Sequence, residues 1–225
     1  MKKKLKFIFI LPLAILMGCS QDEKSSITDK PQTEYKASYK VTFNFKWNIQ
    51  DFPDDYPSNA HFSKLIGWSH NSKSTFFNEG TIASEGIKNM AELGVTSTLT
   101  KEFETKIEKK EGYKSVVGNG LGSGVGDITI ELNVDKDNPS ITLATMLAPS
   151  PDWYVAVVNI NLLEDGTFIE QKTVDALTYD AGTDSGSTFV SSNSPTNPKT
   201  PISIINEPPI GNGKTIASVT FVKQK

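Results

Sequence analysis

Alternation of apolar and polar positions begins abruptly at residue 35. In "YKVTFNFKW" the residues Tyr39, Val41, Phe43, Phe45 and Trp47 alternate with polar ones, the period of a strand with one buried face. "DFPDDYP" interrupts the pattern with two prolines. A helical period follows. "ASEGIKNMAELG" has Ser84 to cap its start, Glu85 at the positive end of the dipole and Gly94 for a left-handed stop. In "STLTKEFETKIEKKEG" the residues Leu99, Phe103 and Ile107 recur every four positions, and Glu102 and Lys106 are spaced for an ion pair. Beyond Gly126 the chain turns to strands, alternating through Ile128, Ile130, Leu132 and Val134 and apolar on both faces in "WYVAVVNINLL", as at the centre of a sandwich. "DITIELNV", "SITLATML", "WYVAVVNINLL", "FIEQKTVDAL" and "KTIASVTFV" read as strands, and "EDGT" as a hairpin turn with positive φ at Asp165 and Gly166. The chain between 35 and 225 is therefore expected to be an all-β, antiparallel sandwich with two short helices confined to one insertion.

The first 34 residues have another character. "MKKKLKFIFILPLAILMGCS" has a lysine-rich start, an apolar run too short for a permanent span, and then Gly18-Cys19. Its end resembles a bacterial lipobox. Residues 1–18 are read as a lipoprotein signal peptide, Cys19 as the lipidated residue and 19–34 as a polar tether. Cys19 is the sole cysteine, so no internal disulfide is expected. Cleavage would remove four lysines and no acid, moving the formal charge from −3 to −7. An acidic chain without a basic patch is not expected to bind nucleic acid. The expected location is the outer membrane or cell surface, with the lipid as the membrane contact.

Chemistry-bearing motifs are few. "IGNGKT" lacks the leading glycine and the helix of a phosphate loop. "GNGLGSGVG" is read as a mobile loop, and "DKDNPSITLATM" lacks the glycine and glutamate of a calcium-binding EF-hand. Two histidines and no second cysteine do not make a zinc site, and no GxSxG is present. The loop "LTYDAGTDSG" is different. Asp180 and Asp184, joined by Ala181-Gly182-Thr183, could fold back onto one Ca2+ ion, with Asp152 of "PSPDWYV" as a third acid on the same rim. Aspartates in such loops also serve simply as turn residues, bonding to nearby backbone.

"MLAPSPDWYVAV", followed by "DALTYDAGTDSGSTF" and "SSNSPTNP", resembles the spondin domain. So does the order of elements in "HFSKLIGWSHNSKSTFFNEGTIASEGIKNMAELG". That resemblance implies a C2-like sandwich over residues 35–225 with a bound calcium ion whose aspartates correspond to Asp152, Asp180 and Asp184. It departs from the animal domains in having no cysteine after "SPDW" and no further modules. The function it implies is non-catalytic adhesion or recognition of an unidentified surface protein or glycan, with Trp153 packed beneath the site. Two alternatives stand beside it: a surface hydrolase using paired carboxylates, and a carbohydrate-binding module with Trp68 or Tyr154 as an exposed stacking platform.

Overall fold

A computed structural model describes residues 34–225. The signal peptide, Cys19 and all of the tether but Glu34 lie outside the described residues. Along the chain run β1 (Lys36–Lys46), β2 (His61–Phe62), β3 (Ile66–His70), α1 (Glu85–Leu93), α2 (Ser97–Glu108), β4 (Gly112–Val117), β5 (Val125–Asp135) and β6 (Ser140–Ala148). Then follow β7 (Trp153–Asn161), β8 (Leu163–Glu164), β9 (Thr167–Phe168), β10 (Gln171–Asp180), β11 (Ser203–Ile204) and β12 (Ala217–Lys223). The main path across the sheet is β4-β3-β6-β7-β10-β12-β1-β5, antiparallel throughout, and its two ends, β4 and β5, approach each other so that it nearly closes.

One strand serves both layers. The first part of β10 pairs with β12, from Gln171 to Ala176, and its last part pairs with β7, from Leu177 to Asp180. Its end carries Asp180 out of the β12 layer to the start of β7. The alternating residues of β1, together with Ile128, Leu132, Leu143, Val155, Val219 and Phe221, fill the core of the sandwich. A second core joins Ile66, Trp68, Tyr154 and Tyr179 to Ile87 and Met90 of α1 and to Leu99 and Phe103 of α2. Trp68 and Phe103 stack with ring centroids 5.2 Å apart. Trp68 and Tyr154 are fully buried, so neither can serve as a stacking platform for a glycan.

Both helices form where the period placed them. Ser84 Oγ accepts from the Ile87 amide at 3.1 Å, and Gly94 closes α1 at φ 64°. The expected Glu102–Lys106 pair does not form. Glu102 instead reaches the start of α1, accepting from Ser84 Oγ at 2.7 Å and the Gly86 amide at 2.9 Å, while Lys106 pairs with Glu111 at 2.7 Å. A carboxylate on unsatisfied helix N–H groups is held more strongly than a solvated pair along one helix.

The glycine-rich stretch is not the mobile loop its composition suggested. Gly118 donates to Leu65 O at 2.7 Å, Leu121 and Phe62 exchange two backbone bonds, and the Trp47 amide donates to Gly124 O at 3.0 Å. A Cβ on Gly124 would lie 2.2 Å from Trp47 O and 2.6 Å from the Tyr56 hydroxyl. Glycine serves here for close approach of backbone to core, and the stretch covers one end of the sandwich.

Candidate functional site

The turn "PSPDW" brings Asp152 to the entry of β7. Ser150 Oγ donates to Leu147 O at 2.5 Å and accepts from the Trp153 amide at 3.1 Å, which fixes the chain around it. Asp152 is fully buried. Its Oδ2 accepts three hydrogen bonds from the neighbouring loop: Thr183 N at 2.7 Å, Thr183 Oγ1 at 3.2 Å and Asp184 N at 3.1 Å. Its Oδ1 is buried with no protein partner. The next residue, Trp153, packs against Phe189 with ring centroids 5.3 Å apart.

The loop after β10 is tightly specified. Asp180 Oδ1 accepts from the Gly182 amide at 2.7 Å, turning the chain back. Gly182 has φ 69°, and a Cβ there would lie 2.2 Å from Thr200 O, so both the dihedral and the space require glycine. Thr200 N donates to Gly182 O at 2.9 Å, and Thr196 N donates to Thr183 O at 2.9 Å, tying the loop to the Pro-rich segment beyond it. Asp184, also buried, bonds within its own surroundings: Oδ1 accepts from Gly186 N and Oδ2 from Ser194 N, each at 2.8 Å.

The three aspartates predicted from sequence lie on adjoining turns at one end of the sandwich, without their three carboxyl groups converging on one point. Burial, and then the negative charge of Asp180, push the Asp152 carboxyl up to about 6, against the lowering pull of the Thr183 and Asp184 N–H groups. Asp180 is also raised, first by burial and further by the charge of Asp184, while the Gly182 N–H and the Trp153 indole oppose the rise. The Trp153 indole N–H faces Asp180 without reaching regular hydrogen-bond geometry. Asp184 is near enough to act on Asp180, yet both its oxygens are engaged by the loop. Among the described residues no three Asp, Glu, His or Cys side chains converge closely enough to hold an ion by themselves.

The donor set nevertheless fits a hard cation. It offers carboxylate oxygens, one of them buried without a protein partner, two carboxyls each raised by the charge of another, and a loop rich in backbone carbonyls that can complete a shell with water. Sequence reasoning missed Thr183, whose N–H and hydroxyl both hold Asp152, and Ser194, which holds Asp184. No local signal marks Thr183, because its partner Asp152 stands 31 positions earlier in the chain.

A sequence model of the Spondin_N family matches residues 37–212. The chain is 33% identical to rat Spondin-2 over 203 residues, which is 83% of this chain and 62% of the relative. To human Spondin-2 it is 35% identical over 167 residues, 72% of this chain and 50% of the relative. Human Spondin-1 is 34% identical over 194 residues, 80% of this chain and 24% of the relative. The chain therefore spans less than two thirds of the length of the curated relatives it matches.

Proposed function

Because the chain belongs to the spondin N-terminal family, we propose that it is a lipid-anchored protein of the cell surface or outer membrane that binds Ca2+ at Asp152, Asp180 and Asp184 and serves adhesion or recognition without catalysis. The observation that carries the calcium reading is the orphaned, fully buried Oδ1 of Asp152 beside the partly buried Asp180. Burying a carboxylate with one oxygen left without a protein partner costs free energy, and a divalent cation offsets that cost. Once bound, it would neutralise the mutual repulsion of the acids and join the start of β7 to the end of β10.

The chain's own residues prepare the site. Thr183 and the Asp184 amide fix one oxygen of Asp152, the Asp180–Gly182 turn sets the loop, and Ser194 anchors Asp184. Such preorganisation leaves little ordering to be done on binding. Extracellular calcium modules have Kd values on the order of 0.1–1 mM, suited to a protein exposed outside the cell. The N-terminal lipidation at Cys19 is supported by the signal-like run and the lipobox-like "LMGC". Globomycin treatment or Cys19→Ser tests it: accumulation of unprocessed precursor and loss from the membrane fraction are expected, and unchanged membrane retention would contradict the anchor. For calcium, titration calorimetry on wild type and Asp180→Asn is decisive: saturable heat in the first and none in the second are expected, and equal heats or none in either would remove the metal.

A further inference from the structure

Trp153 and Asp180 stand directly opposite each other where β7 meets β10. Beside them Ala181 N donates to Asp152 O at 3.2 Å, so Trp153–Asp180 is a pair of the non-hydrogen-bonded kind. Its two side chains lie on one face of the sheet, as close as an antiparallel ladder brings them. The Trp153 amide is fixed by Ser150 Oγ at 3.1 Å. Its ring packs on Phe189, which in turn lies 5.2 Å from the centre of the Trp47 ring, so the indole has little room to turn.

Trp153 is buried, and its Nε1 has no regular hydrogen-bond partner. An unpaired buried N–H costs roughly 1–3 kcal/mol, so its position calls for a physical reason. The carboxylate opposite supplies one. Asp180 Oδ1 accepts from the Gly182 amide at 2.7 Å, and a carboxylate has room for further donors. The indole faces that carboxylate and favours its charged form. Trp47 and Trp68 also have unpartnered indole N–H groups, yet no acid pairs with either across the sheet; Trp68 stands opposite Thr142 and Ser115.

We propose that Trp153 is a positioning residue of the cation site, its indole N–H joining the Gly182 amide to hold the Asp180 carboxylate in the orientation the ion takes. The role rests on the calcium reading, whereas the contact is independent of any ion. Donors that orient a ligating carboxylate are worth roughly 10–100-fold in metal affinity. Indole 1H–15N resonances in EDTA test the contact, assigned through Trp47→Phe and Trp68→Phe. Asp180→Ala should move the Trp153 resonance and leave the other two in place. Calcium calorimetry tests the role. Trp153→Phe keeps a ring against Phe189 without the N–H and should raise Kd by about tenfold. Trp47→Phe removes another buried indole and should leave Kd unchanged. An unmoved Trp153 resonance in Asp180→Ala, or the same Kd in the two phenylalanine variants, would overturn the assignment. Absence of calcium heat in the wild type would remove the ion and with it the role, while a shifted indole resonance would still establish the contact.

Discussion

Two loops of this protein look alike in composition and work by different physics. The stretch 118–126 and the stretch 181–186 are both rich in glycine, serine and other small residues. In the first, glycine lets backbone lie against Trp47 and Phe62, and backbone hydrogen bonds hold it there. In the second, glycine permits one left-handed turn, and buried carboxylates gather the surrounding N–H groups. Small-residue content therefore reports only that the chain comes close to something. Whether packing or charge closes the loop depends on residues brought from elsewhere.

The comparison breaks most visibly at Gly124. Gly124→Ala drives a methyl into Trp47 O and should destabilise the protein by about 3 kcal/mol, read by denaturant melts and insensitive to calcium. Next in size is the response to pH in chelator. Asp152 rises from an ordinary 3.8 to about 6 on folding, so the folded state binds the extra proton between those values. Its contribution to stability is complete below pH 3.8 and disappears as pH rises through 6, a swing of at most about 3 kcal/mol that Asp152→Asn should abolish. The glycine-rich stretch 118–126 contains no titratable side chain and contributes no such pH dependence.

Smaller effects sharpen the contrast. Asp152→Ala strands the Thr183 and Asp184 amides and should cost about 2 kcal/mol in chelator, the loss of three hydrogen bonds partly offset by removal of a buried charge. Asp152→Asn keeps an acceptor without the charge, so in chelator it should be nearly neutral below pH 3.8 and stabilising by up to about 3 kcal/mol above pH 6, and the pair of variants separates the oxygen from its charge. Asp184→Asn should cost about 1 kcal/mol, because an amide NH2 cannot accept from one of Gly186 N and Ser194 N. Thermal melts of the three variants in EDTA check this order.

Part of the frame was legible because one face of β1 and of β5 meets water. β1 and β5 alternate cleanly, and the Asp165-Gly166 turn adopts the expected positive φ at both positions. β3 was not legible: all five residues of "IGWSH" are buried, between the sandwich and the helices, so no alternation marks it. β4 is an edge strand of mixed burial following directly on α2, and its period is lost in the lysines and glutamates around it. Glu102 was assigned the wrong partner because helix spacing describes only neighbours on one helix, and its true partners are on another. For the site, "DAGTD" announced two acids in a turn, whereas the addition of Asp152 rested on its strand-start position and on family resemblance. No local rule foretold that Thr183 would bridge the two segments.

The central claim is that a divalent ion relieves the buried charge of Asp152 and its neighbours. Its most direct test is the melting midpoint of the mature protein in EDTA and in calcium chloride at a hundredfold excess over Kd. Binding of that strength contributes about 2.7 kcal/mol, and for a chain of this size it should raise the midpoint by roughly 5–10 °C. Asp180→Asn should lose that rise. Identical midpoints in calcium and in EDTA for the wild type would mean that the aspartates serve only the turn they stand in.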